Sequence, residues 1–140
     1  MIIFFLDTSS SSNLHVAICD GKTVLYEKNI IIKNRHSDVL IPKIQQIFQN
    51  KKSIIKKLKR VRCIAVIKGP GPFSAVRSGV VVANALSYAL NIPVVGVKKR
   101  SESYQLRDYI NDIKKIKRMR QRQFVHPYYG MEPNITKPKK

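Results

Sequence analysis

The sequence predicts an α/β fold built on a mixed five-stranded sheet with flanking helices, and three observations support this class. Ile2–Leu6 is a continuous apolar run, which is typical of a central strand that is covered on both faces. Asn13–Cys19 and Thr23–Lys33 follow as two strand-like segments, separated at 20–21 by Asp-Gly, a dipeptide that closes hairpins. Strand, glycine-proline loop, apolar helix and strand then succeed one another over 63–97, which is the pattern of a parallel crossover.

The remaining elements are predicted from apolar spacing. The segment from Ser37 to Gln49 has the apolar period of a helix, and Ser37 or Asp38 is predicted to cap it. Cys63–Ile67 and Pro93–Val97 are the fourth and fifth strands. The first three strands are expected to pair as an antiparallel meander, which makes the whole sheet mixed.

Charge distinguishes the two parts of the chain. Twenty-seven Lys and Arg residues face 8 Asp and Glu residues, which gives a net charge of +19 over 140 residues. Residues 1–50 hold 5 basic and 4 acidic side chains, so 22 basic and 4 acidic side chains fall in 51–140. Such a field favours RNA, DNA or an acidic partner, and a lysine-rich proteome background is the alternative. Lys51–Arg62 concentrates the charge, either as a solvated face or as an RNA-facing patch.

The two cysteines and the first residues of the chain indicate the cellular compartment of the protein. Cys19 and Cys63 lie in apolar strand-like runs without metal-ligand spacing, so two buried thiols in a reducing compartment are expected. The opening MIIFFLD lacks a basic region before its apolar run and is too short to span a bilayer. We therefore expect a cytoplasmic protein with no membrane partner.

The segment KGPGPFSAVRSG, from Lys68 to Gly79, stands where α/β proteins often bind a ligand, since the amides at a helix start point outward. Ser74 occupies the position where a G-x-G-x-x-G motif needs its last glycine, and no Gly-Lys-Ser/Thr follows at the spacing of a nucleotide-binding loop. A tight turn that leads into a helix is therefore the alternative to a phosphate-binding loop.

Asp7 ends the first strand, which is where ribonuclease H-like nucleases place a metal carboxylate. A two-metal site needs several carboxylates, whereas the fourth strand is followed by Lys68 and only Glu27 is available among the first strands. The sequence therefore predicts no metal site and no catalytic carboxylate pair. We expect a turn in which the aspartate and the serines after it bond their own backbone.

Three segments of the chain resemble the TsaB family. GPGPFSAVRSG, followed by ALSYALNIPVVGV, is similar to the GPGSFTGLRIG…GLAYALNIPLVGV segment of that family. The opening IIFFLDTSSSSNLHVAICDG resembles its ILAIDTS…SVAL-DG start, and HSDVLIPKIQQIF resembles its HSERLLPLIEELL helix. The resemblance covers about residues 1–105 and implies one half of an actin-like, ribonuclease H-like architecture. It also implies a subunit that supports the transferase TsaD in the threonylcarbamoyl modification of tRNA adenosine 37.

The resemblance implies an accessory role without catalytic residues or a cofactor. TsaD carries His-x-x-x-His on the equivalent helix to hold a metal, whereas His36 is followed here by Leu40. In sugar kinases and actin the turn after the first strand approaches a nucleotide phosphate. The corresponding phosphate-facing positions in this chain are Asp7, Thr8, Ser9, Gly69 and Gly71. Pro72 stands where the family usually has serine and removes a backbone donor, which weakens any such contact.

The family's contact with TsaD uses the two helices that precede and follow the fourth strand. A helical wheel at about 100° per residue assigns one side of the second helix to the sheet. That side consists of Val76, Gly79, Val82, Ala83, Leu86 and Leu90. The opposite side is too apolar for water alone, and the helix from Ser37 to Gln49 is the alternative cover. The predicted partner interface consists of Leu40, Ile44, Arg77, Val80, Val81, Asn84 and Tyr88.

The predicted organisation is an actin-like domain at 1–100, a basic helical extension at 101–123 and a Pro-rich basic tail at 124–140. The tail resembles the family's closing P-x-Y-x-x-x-P, and full-length relatives have a second domain before it, so the resemblance implies a shortened member. Expected partners are a TsaD-like subunit, a second copy in a homodimer, and tRNA held by charge. Two rival functions remain open: a basic RNA-binding module of the same ancestry, and a degenerate nucleotide-dependent hydrolase or transferase.

Overall fold

A central strand, β1 (Ile2–Asp7), organises the sheet, and all six of its residues are buried. In the computed structural model, which describes residues 1–33, 36–49, 60–101, 103–119 and 124–130, seven further elements follow β1. They are β2 (Asn13–Asp20), β3 (Thr23–Ile31), α1 (His36–Gln49), β4 (Val61–Ile67), α2 (Phe73–Leu90), β5 (Val94–Val97) and α3 (Arg107–Met119). Residues 51–59 of the predicted basic segment Lys51–Arg62 lie outside the described residues, and so does the predicted tail beyond residue 130.

The five strands form one mixed sheet in the order β3-β2-β1-β4-β5. β1 pairs antiparallel with β2 and parallel with β4, so that Phe5 lies opposite Ala17 on one side and Ala65 on the other. β2 pairs antiparallel with β3, and β4 pairs parallel with β5. The predicted meander, parallel crossover and α/β class are confirmed, as is the half of an actin-like architecture that the family resemblance implied.

Alternation along the strands divides the core into two layers. Phe4 and Leu6 of β1 point to a face that α1 and α2 cover, where they pack with Val76 and Val80. Ile3 and Phe5 point to the opposite face, which α3 covers. Because both faces of β1 are buried, its apolar run is continuous instead of alternating.

Helix α3 belongs to this second layer of the core. Within the segment 101–123, for which the sequence predicts a basic helical extension, Leu106, Tyr109, Ile110 and Ile113 are buried against the sheet. Tyr109 fixes the start of the segment as well, since its hydroxyl accepts a hydrogen bond from the Arg100 amide at 2.8 Å. We therefore assign α3 to the same core as 1–100.

The two cysteines lie on the α3 side of the sheet. Cys19 and Cys63 are both buried thiols, as the sequence predicted. Burial, and secondarily the charge of Glu27, raises the pKa of the Cys19 thiol to about 11. The thiol therefore stays protonated and behaves as a small apolar side chain.

Helix α2 starts directly after Pro72 and ends at Asn91, which adopts a left-handed conformation with φ 53°. The amides of Asn91 and Ile92 bond the carbonyls of Tyr88 and Ser87, which closes the last turn. By length and composition α2 could cross a membrane, but a core helix of a soluble protein passes the same test.

The helical-wheel assignment for α2 is wrong at two positions. Val80, placed on the partner side, is 2% exposed and packs on the sheet, because Val76, Val80 and Ala83 lie at helical spacing along the buried stripe. Leu90, placed on the sheet side, is 53% exposed, since it is the last residue before the chain turns at Asn91.

The burial of α3 leads to a stability prediction. Ile110 is 1% exposed, so Ile110→Ala should lower the free energy of unfolding by about 2–5 kcal/mol through lost transfer energy and a residual cavity. Ile41 is also a helical isoleucine but is 49% exposed, so Ile41→Ala should cost less than about 1 kcal/mol. Urea unfolding followed by circular dichroism measures both, and equal losses would mean that α3 is not part of the core.

Candidate functional site

The turn that follows β1 lies at the centre of the candidate site. The Asp7 carboxylate accepts hydrogen bonds from the Ser9 amide at 2.8 Å and from the Ser9 hydroxyl at 2.6 Å, both at Oδ1. The expectation that Asp7 bonds the backbone of its own turn agrees with the bond from the Ser9 amide, whereas the Ser9 hydroxyl bonds the Asp7 side chain and not the backbone. Asp7, Thr8 and Ser9 are 5%, 0% and 3% exposed, so the turn faces the protein interior.

The second oxygen of Asp7 takes part in a longer network. The Tyr104 hydroxyl donates to Asp7 Oδ2 at 2.5 Å. His15 Nδ1 lies 2.7 Å from the same hydroxyl, and His15 Nε2 lies 2.8 Å from Glu27 Oε1. His15 thereby connects the Tyr104 hydroxyl, which donates to Asp7, with the carboxylate of Glu27.

Burial, followed by the negative charge of Asp7, raises the pKa of Tyr104 above its ordinary value, so its hydroxyl stays protonated and can donate. The network lines a polar pocket of about 180 Å³, which Asn13, Asn29 and Lys99 also reach. Among the residues that the structure describes, no group of three or more His, Cys, Asp or Glu side chains is arranged to hold a metal ion. The pocket therefore offers hydrogen bonding and charge, without a cluster of metal ligands.

The glycine-rich loop packs tightly against this turn. A Cβ atom on Gly71 would lie 2.4 Å from the Ser9 carbonyl oxygen. Gly69 has φ +114°, and a Cβ there would lie 1.8 Å from the Tyr128 carbonyl oxygen. Both glycines are therefore required by close backbone approach, which explains the loop sequence without a ligand.

Thr8 connects the turn to helix α2. Its hydroxyl donates to the Ala75 carbonyl oxygen at 2.6 Å, in the first turn of the helix. A Cβ on Gly79 would lie 2.1 Å from Thr8 Oγ1, so the helix can approach the turn only where it has no side chain. The structure thus brings Asp7, Thr8, Ser9 and Gly71 together, while Gly69 lies against the tail that contains Tyr128.

A second feature is a groove of about 500 Å³ between α1 and α2. Its exposed apolar side chains are Ile41, which is 49% exposed, and Val81, which is 60% exposed. Arg77 also lines it, next to Ser74 and Ser78. Arg77 and Val81 were predicted to face a partner, and both are accessible in this groove.

The predicted partner surface needs correction at other positions. Leu40 and Ile44 are 1% and 5% exposed and, like Val80, belong to the core, because α1 packs on α2. Asn84 is engaged inside the chain, since its side chain accepts from the Val125 amide at 2.9 Å and donates to the Val125 carbonyl at 3.0 Å. Tyr88 is 81% exposed but does not line the groove.

Sequence reasoning missed Tyr104 and the intramolecular role of Asn84. Tyr104 lies 97 residues from Asp7 in the chain, and no local spacing connects them. Asn84 did carry a signal, because a lone amide in an apolar helix needs a hydrogen-bonding partner when it is half buried. That partner is the backbone of Val125, which places the tail segment 124–130 beside α2.

Comparisons with known proteins identify a matching family model and several sequence relatives of the chain. The family model described as TsaD, tRNA N6-adenosine threonylcarbamoyltransferase, matches residues 30–101, just over half of the chain. The chain is 34% identical over 100 residues to the tRNA threonylcarbamoyladenosine biosynthesis protein TsaB of Buchnera aphidicola subsp. Schizaphis graminum, which covers 71% of this chain and 45% of that protein. It is 32% identical over 97 residues to the protein of the same name from Bacillus subtilis, at 69% and 41% coverage.

A solved structure shares the fold of this chain over most of its length. The crystal structure of a Pseudomonas aeruginosa protein with similarity to peptidase YeaZ superposes with a TM-score of 0.58 and 29% sequence identity. The match covers 69% of this chain and 43% of that one. The chain therefore spans less than half the length of these relatives.

The packing of Thr8 on Gly79 predicts a specific coupling between two substitutions. Gly79→Ala should lower the melting temperature, because the new methyl group meets the Thr8 side chain at 2.1 Å. Thr8→Ala removes the clashing atoms, so in the double variant the cost of Gly79→Ala should shrink, with a coupling energy of about 0.5–3 kcal/mol. Thermal unfolding of the four proteins measures the coupling, and strictly additive effects would show that the two residues do not constrain each other.

Proposed function

Because the chain belongs to the TsaB family, we propose that it takes part in tRNA threonylcarbamoyladenosine biosynthesis as a non-catalytic subunit that supports TsaD. The groove between α1 and α2 is the observation that carries this proposal. An exposed apolar groove between two packed helices suits the docking of a third helix from another chain.

The lining of the groove fits a helix of the partner. Ile41 and Val81 supply exposed apolar contacts on the two walls, above the buried Leu40 and Val82. Arg77 adds a charge at which a partner carboxylate can pair. The groove is therefore assigned to the TsaD-like subunit, and a second copy of this chain is the competing occupant.

The interior of the candidate site supports a non-catalytic role. Asp7 already accepts three hydrogen bonds from Ser9 and Tyr104, which leaves little capacity for a metal or a water nucleophile. The backbone of Ser9 fills the space beside Gly71, where a phosphate would approach the loop. A degenerate hydrolase or transferase is therefore the less favoured function.

The proposed location follows from the proposed process. tRNA modification takes place in the cytoplasm, where Cys19 and Cys63 remain reduced thiols. Helix α2 packs Val76, Val80 and Ala83 on the sheet, as a core helix does. We therefore propose a cytoplasmic protein.

Neighbouring valines of α2 provide the test. Val81→Glu should leave circular dichroism and melting near wild type, because Val81 is 60% exposed, but should abolish co-purification with TsaD from the same organism. Val80→Glu should unfold the domain, since it buries an unpaired charge at a position that is 2% exposed. Ala89→Glu is the control, because it adds the same charge to an exposed position of α2 outside the groove.

Two outcomes would contradict the assignment of the groove. If Val81→Glu unfolds the protein as Val80→Glu does, the residue belongs to the core. If it abolishes self-association in light scattering but keeps TsaD bound, the groove holds a second copy of the chain instead.

A further inference from the structure

A basic cleft of about 530 Å³ lies at the carboxyl ends of β4 and β5, on the side of α3. Five cationic side chains and one carboxylate line it: Lys68, Lys98, Lys99, Arg100, Lys115 and Asp112. None of the phosphate-facing or partner-interface residues predicted from the sequence lines this cleft. The cleft is separate from the groove between α1 and α2, with which it shares no lining residue.

Backbone pairing brings the lysines together. β4 and β5 are parallel, so their carboxyl ends meet at one edge of the sheet, and Lys68 and Lys98 follow them directly. The Lys68 amide bonds the Val97 carbonyl at 2.9 Å, and the Lys99 amide bonds the Gly69 carbonyl at 2.9 Å. The positions of these residues are therefore set by the sheet, not by a free loop.

Helix α3 completes the opposite wall. Arg100 forms an ion pair with Asp112, and its amide donates to the buried Tyr109 hydroxyl. Lys115 is exposed and follows Asp112 by three residues, so the two lie on the same side of α3. The lining as a whole holds five cations against one carboxylate, which is an excess of positive charge.

An aromatic ring contacts one of the lysines of the cleft. The Tyr128 amide donates to the Lys68 carbonyl at 2.6 Å, which docks the tail segment beside the strand ends. The Lys98 ammonium lies 4.3 Å from the centre of the Tyr128 ring, and Tyr128 is 41% exposed. Cations beside an accessible aromatic ring are the combination that binds the backbone and bases of a single nucleic-acid strand.

We propose that this cleft binds the phosphodiester backbone of an RNA strand. Five cations spread over one cleft fit successive phosphates better than a single small anion, and the chain's net charge of +19 steers a polyanion towards it. An acidic protein would use the same cations but has less use for the exposed ring of Tyr128. The choice of tRNA as the natural strand rests on the proposed function.

The test compares two lysine pairs of equal charge. Lys98→Ala with Lys115→Ala removes two exposed cations from the cleft, and Lys22→Ala with Lys28→Ala removes two exposed cations near the far edge of the sheet, at and beside β3. Binding of fluorescein-labelled oligouridylate and of tRNA is measured by anisotropy on the isolated chain, between about 50 and 200 mM KCl. Melting temperature and TsaD co-purification are recorded for each protein.

The double variant Lys98→Ala with Lys115→Ala, the cleft pair, should bind RNA about tenfold more weakly. The slope of log affinity against log salt concentration should become about 1.4 less steep, because each phosphate contact on a single strand contributes about 0.7 to it. The double variant Lys22→Ala with Lys28→Ala, the distal pair, should change the affinity for RNA less than about threefold, although it removes the same charge. If the variant with the cleft pair still co-purifies with TsaD, its loss of RNA binding is distinct from a failure of the proposed function.

Three results would overturn the proposal. An equal loss of RNA affinity in the two double variants means that binding depends on net charge and not on this cleft. Displacement of the strand by inorganic tripolyphosphate at the same phosphate concentration means that the cleft is a site for small anions. Absence of RNA binding by the wild-type chain at the lowest salt concentration means that the cleft does not serve RNA.

Discussion

The turn Asp7-Thr8-Ser9 is the constraint on which the rest of the structure depends, because it ties the central strand to both helical layers. Thr8 donates to the first turn of α2 on one face of the sheet. Asp7 accepts from Tyr104, just before α3, on the other face. Three consecutive polar residues are fully engaged in a buried position, where unsatisfied groups would cost several kcal/mol, roughly.

The close fit of this turn decides what the neighbouring loops can do. Gly71 and Gly79 are glycines because the Ser9 backbone and the Thr8 side chain occupy the space that a Cβ would need. The loop that most resembled a phosphate site is thus explained by packing of protein on protein. With α2 seated in this way, Val80 turns towards the sheet and Val81 towards the groove, so the contact that seats the helix also presents the proposed partner surface.

Local patterns predicted most of the fold, and distant contacts account for what they missed. The apolar run of β1, the turn at 20–21 and the strand-loop-helix segment each encode their own structure, so the sheet and its pairing followed from the sequence. The hydrogen bonds of Ser9 to Asp7 were predictable for the same reason, since they span two residues. Tyr104 was not, because its contact with Asp7 joins residues 97 positions apart.

The faces of α2 show the same limit at finer scale. A wheel gives the spacing of the buried stripe but not its width, and the packing of α2 on the sheet sets that width. Val80 lies between Val76 and Ala83 at helical spacing and is therefore buried with them. Leu40 and Ile44 belong to the same core because α1 packs on α2. The spacing was encoded locally, whereas the width of the stripe depended on contacts between elements that are distant in the chain.

The Asp7 carboxylate accepts three hydrogen bonds inside the chain, so we assign it a structural role. Steady-state hydrolysis of ATP with magnesium, by the purified chain and by Asp7→Asn, is the measurement that tests this role. We expect no turnover above buffer for either protein, because Ser9 and Tyr104 already bond the carboxylate. Turnover by the wild type that disappears in a folded Asp7→Asn variant would contradict it, since the carboxylate would then act on a substrate.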